Sequence, residues 1–166
     1  GVQTCALPIY ASQVQNTHLE GHDIVVKQVQ DSQIKGDALM AMGVQDVQAQ
    51  AKKIRIEGGG HSTLLGESID VSHVYHSKLN GQFLSAYQVH DTNIDGAFHH
   101  VRQVKKSTIK GTYNRVFGGE DIHMDGHQNM ALNANNTTVT GDHQRLFGNH
   151  QRIQGNHNVA FGDYVA

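Results

Sequence analysis

The chain has no tryptophan, one proline and one cysteine, and each scarcity removes a possibility. A lone thiol, Cys5, forms no intrachain disulfide, so this is not a disulfide-stapled scaffold. Charged residues make up only 17% of the 166, and the formal net charge is −2. That balance gives neither nucleic acid nor an anionic membrane an electrostatic footprint. No apolar run approaches the roughly 18 residues of a membrane helix, so no membrane insertion is expected. Gly58-Gly59-Gly60 lacks the Gly-Lys-Ser/Thr ending of a phosphate loop. No nucleophile–base motif occurs either, and the expectation is a non-enzyme without cofactor.

What is present is a period. An aliphatic residue, any residue and then Gly recur at Leu19-Glu20-Gly21, Ile34-Lys35-Gly36, Leu64-Leu65-Gly66, Leu79-Asn80-Gly81 and Ile94-Asp95-Gly96. The series continues through Ile109, Met124 and Val139, always 15 apart, with Ala49-Gln50-Ala51 in the one unmatched place. A looser copy follows seven residues after each glycine, its aliphatic column running from Val26 through Ile56, Val71 and Val116 to Leu146. After Gly141 the step is a plain seven, through Gly148, Gly155 and Gly162. The first nine residues, Gly1–Ile9, read like a translated sequencing-library adapter and are set aside, leaving 10–166 as the repeat domain. Both ends are expected to be truncations.

The period excludes a helix, because Gly at every second corner would break it. It fits an all-β parallel solenoid of about nine 15-residue coils, each a seven- and an eight-residue half with glycine corners. Strand alternation turns the aliphatic residue and the one two places earlier inward. One such inner column runs Ile24, Leu39, Ile54, Ile69, Leu84 and then turns polar at His99, Asn114, Asn129 and Gln144. The amides predict a ladder bonding each coil to the next, and His99 a core histidine. The other inner column is rich in Ser and Thr, which suit corners. Val29, Val44, Val74, Val89 and Val104 read as corner residues folded inward. The corner glycines are expected to need positive φ.

The half-coils Ala134-Asn-Asn-Thr-Thr-Val-Thr-Gly141 and Asn156-His-Asn-Val-Ala-Phe-Gly162 resemble two left-handed β-roll groups. One is the head repeat of trimeric autotransporter adhesins; the other is a grass ice-binding protein. The adhesin resemblance implies a left-handed coil, a cell-surface or extracellular location, a trimer and an attachment function. A spike or needle component of a phage tail or secretion device is the alternative. Ice binding is weakened because Lys78, Asn93 and His123 interrupt Thr63, Thr108 and Thr138.

Function should then lie in outward columns. All five phenylalanines fall on the seven-residue half, interleaved with arginine. The candidate interaction face is Phe83, Phe98, Arg102, Tyr113, Arg115, Phe117, Leu132, Arg145, Phe147 and Phe161. Such a patch exceeds what a soluble monomer usually exposes, so homo-oligomer contact or a host or surface ligand is expected there. The column Asp46, His61, His76, Asp91 presents side chains in a straight ladder, unlike the converging ligands zinc needs, and no metal is expected.

Overall fold

The computed structural model describes residues 2–5 and 8–166, with side chains from residue 8 onward. The adapter reading of Gly1–Ile9 therefore falls partly outside the described residues. Sixteen strands form one parallel sheet wound into a β-solenoid of about ten turns. No helix occurs among the described residues.

Register follows the period directly. Leu19 pairs with Ile34, Ile34 with Ala49 and Ala49 with Leu64. Leu64 then pairs with Leu79, Leu79 with Ile94 and Ile94 with Ile109. The line ends through Met124, Val139 and Ile153. From Leu19 to Val139 every member is buried, as is the facing column from Val26 to Leu146. At about 4.8 Å per coil, ten coils make a rod about 48 Å long.

The coil has three sides, one more than two facing strips would give. Val29, Val44, Val74, Val89 and Val104 form a third buried line, in register with Gly59 and Gly119. This short side lies between two positive-φ corners. One runs Gln28, Gly43, Gly58, His73, Gln88, Gln103, Gly118 and Asn133; the other runs Asp31, Asp46, His61, His76, Asp91, Lys106, Asp121 and Asn136. The valines are thus a wall of the core, not only a corner.

The remaining corner changes character along the rod. At Gly36, Gly66 and Gly81 the expectation of positive φ fails: continuous strand runs through Gly36, and the breaks at Gly66 and after Gly81 turn without the left-handed conformation. Glycine is needed for another reason: a Cβ at Gly36 would lie 2.5 Å from the Gly21 carbonyl of the preceding coil. From Gly96 onward the corner is a sharp turn. Gly96 has φ 135° and Phe98 has φ 58°, and the pattern repeats at Gly111 and Tyr113.

The sharp turn explains the polar switch in the inner column. A tight corner leaves a backbone N–H facing the next coil, and buried N–H groups must be paired. Asn114 Oδ1 accepts it from His99 at 3.1 Å, and Asn129 Oδ1 from Asn114 at 3.0 Å. Gln144 Oε1 and Asn158 Oδ1 continue the ladder. The amides bond to backbone, not to one another. Ser32, Ser62, Ser77 and Ser107 do the same at the Asp31 corner, each accepting an N–H and passing its own proton to a carbonyl two residues back. Beyond Gly141 both edges are sharp, with Gly148 and His150 mirroring Gly155 and His157.

Candidate functional site: a ring and arginine wall

The wall following the variable corner presents two outward columns, two residues apart on each strand. One contains Arg102, Phe117, Leu132, Phe147 and Phe161 in successive pairing. The other contains His100, Arg115, Met130, Arg145 and Val159. The corner adds Phe83, Phe98 and Tyr113, then Gln128, His143 and His157. The structure therefore brings all ten sequence-predicted residues onto one wall. Phe117 and Leu132 are half-buried there, and the other eight are exposed.

Rings one coil apart stack. Phe83 lies 5.6 Å from Phe98, and Phe98 lies 5.2 Å from Tyr113 with planes 2° apart. Phe147 stacks on Phe161 at 5.1 Å and His100 on Phe117 at 5.1 Å. Between the corner rings and the Arg115–Arg145 column runs a groove of about 740 Å³. Its lining includes Phe98, Tyr113, Met130 and His143, and it contains no carboxylate.

Charge pairing changes along this wall. On its N-terminal half Arg55 meets Asp70 of the next coil, as Lys35 meets Glu20, Lys52 meets Asp37 and Lys105 meets Glu120 elsewhere on the rod. Among the described residues, none of Arg102, Arg115 and Arg145 has a carboxylate within 4 Å. These are three of the chain's five arginines. Arg102 Nε instead donates to His100 Nε2 at 3.0 Å. Burial, then the charges of Arg102 and Arg115, push the His100 pKa down, in the direction that favours the neutral, accepting ring.

Sequence reasoning missed Met40 and Met42, which are exposed on the N-terminal half of the same two columns. Stepping back by 15 from His100 and Arg102 reaches them, so the signal was there. The acidic and histidine corner column behaves as a ladder. His61 stacks on His76 at 5.0 Å, and His76 Nε2 lies 3.4 Å from Asp91. Among the described residues no group of three or more His, Cys, Asp or Glu is placed to hold a metal ion.

No protein-family model, curated protein or solved structure matches the chain.

Proposed function

We propose that this chain is a non-enzymatic, structural and adhesive rod at a cell surface, similar in role to an adhesin head, with the ring and arginine wall as its contact surface. The observation that carries this reading is the coincidence of stacked exposed rings and acid-free arginines on one wall. Lys35 and Lys105, on the other walls, by contrast each lie within 4 Å of an acid. Exposed aromatic and arginine side chains are what contact surfaces concentrate. A stiff, coil-by-coil scaffold holds them in fixed rows, so binding costs little ordering of the backbone. The same wall serves self-association, since exposed rings prefer an apolar partner to water.

Display of the rod on a bacterium that lacks adhesins tests this. Attachment to surfaces or clumping of cells is expected with the native chain. It is expected to fall at least severalfold when Arg115, Arg145 and Phe147 become Gln, Gln and Ser. Replacing Thr63 and Thr108 by Gln on the opposite broad wall should leave it unchanged. Equal attachment by all three chains would overturn the reading.

A further inference from the structure

We propose that two copies of this chain pair in parallel, wall to wall, about a two-fold axis running along the rods; the inference rests on the wall being the contact surface. The size fits. Ten coils of about 4.8 Å and five strand residues of about 3.3 Å give roughly 800 Å² per copy, the scale of a standard stable interface.

The partner is a second copy because exposed apolar groups lie towards both ends of this wall, with the polar coils of Arg55, Asp70 and Ser85 between them, and this pattern matches itself coil by coil. Met40 and Met42 are exposed near one end, and Phe147 and Phe161 near the other. A two-fold contact sets one patch on its own equivalent, whereas a three-fold contact sets two different patches together. The other broad wall carries Gln33, Gln48, Lys78, Asn93 and His123, which offer the rings no apolar counterpart. The pair therefore replaces the trimer that the adhesin resemblance implies.

The parallel sense follows from the rows. A two-fold along the rods keeps each coil level with its equivalent and reverses strand direction. Residue n of one copy then stands opposite residue n+2 of the other. Arg55 faces Glu57 of the partner subunit, exchanging charge across the interface. Arg115 faces Phe117 of the partner subunit, and Arg145 faces Phe147 of the partner subunit, laying weakly hydrated guanidinium groups against rings. Met40 meets Met42 of the partner subunit, and Met130 meets Leu132 of the partner subunit. No level opposes two like charges. An antiparallel pair centred on the rod would set Asp70 on Arg115 but Glu57 on Leu132, stranding that carboxylate, whereas the parallel pair leaves no carboxylate of the two columns on an apolar partner.

Light scattering and cysteine pairing test the arrangement, on a Cys5→Ser background. The native chain is expected to scatter as a dimer. A mixture of Met130→Cys chains with Leu132→Cys chains should oxidise to a covalent dimer, while either variant alone should not. Ser85→Cys mixed with Tyr87→Cys should behave alike, at exposed positions where folding is not at risk. A monomer at high concentration, a trimer, or a dimer whose mixtures cross-link no better than the single variants would each overturn the proposal. A monomer that still supports cell attachment would sink this arrangement alone and leave the contact surface standing. A cross-linking dimer without attachment would do the reverse.

Discussion

The ring of Phe98 lies on that of Tyr113 with their centroids 5.2 Å apart and their planes 2° from parallel. Both residues hold φ near +58°, a conformation side chains other than Gly, Asn and Asp seldom adopt. From Gly96 onward each coil repeats the same corner backbone, so rings there fall into stacking distance without further adjustment. The ladder stops at Gln128 and resumes where His143 stacks on His157 at 4.9 Å. Gln128 already has φ 55°, so Gln128→Tyr asks nothing new of the backbone. It should bridge the two ring stacks and stabilise the fold by about 0.5–1.5 kcal/mol. A urea midpoint that fails to rise would show that the stacked rings contribute little to stability.

The line of Ile34, Leu79 and Ile109 was legible in the sequence because a 15-residue step fixes which side chains meet in neighbouring coils. The wall that carries the rings was legible for the same reason, once strand alternation assigned sides. Corner geometry was not. Gly81 and Gly96 occupy the same place in the repeat, yet only Gly96 has positive φ. The sign of that change lay three residues on, where Leu84 gives way to His99 and a side chain able to face a polar group replaces an aliphatic one. The third side of the coil was hidden because a single valine per turn does not show whether it closes a corner or lines a wall. Met40 and Met42 escaped notice because Arg55, Glu57 and Asp70 separate them from the rings.

Two glycines of one coil pair separate steric need from backbone need. Gly58 has φ +70°, and a Cβ there would touch nothing, while its equivalents Gln28, His73 and Gln88 hold φ 53–55° with full side chains. Gly58→Asn is therefore expected to be neutral or to stabilise by up to about 0.5 kcal/mol, by restricting the unfolded chain. Gly36→Val should destabilise by about 1–3 kcal/mol through its clash with the Gly21 carbonyl. Thermal unfolding of both variants checks the contrast; similar losses at the two sites would refute it.

Asn129 carries the hydrogen bond that closes the Asn114 corner. Both residues are buried, and Asn114 N–H donates to Asn129 Oδ1 at 3.0 Å. Asn129→Ala leaves that donor without a partner, at a cost of about 1–3 kcal/mol. Asn129→Gln should recover most of the loss, because Gln144 performs the same task one coil later through Oε1. The specific readout is hydrogen exchange at the Asn114 amide. It should accelerate in the Ala variant and stay slow in the Gln variant, and unchanged exchange in both would exclude the ladder as its protection.

His99 sits where the aliphatic column turns polar, and its ring pairs with neither side. The coil before it turns after Gly81 without positive φ, and both ring nitrogens are buried without a hydrogen-bond partner among the described residues. Burial pushes its pKa down to about 4, against a smaller opposing pull from Asp95. The unfolded chain, with an ordinary histidine near 6.5, binds the proton more readily between those two values. Stability from this residue is thus intact above about pH 6.5 and lost as pH falls towards 4, by roughly 3 kcal/mol in full. His99→Leu extends the column of Ile54, Ile69 and Leu84 by one coil and removes both unpaired nitrogens. It should stabilise the fold by about 1–3 kcal/mol at neutral pH. Between pH 6.5 and 4 its urea midpoint should decline less than that of the native chain. Parallel declines would mean that the acid sensitivity resides in the surface histidines and carboxylates, and not in this buried ring.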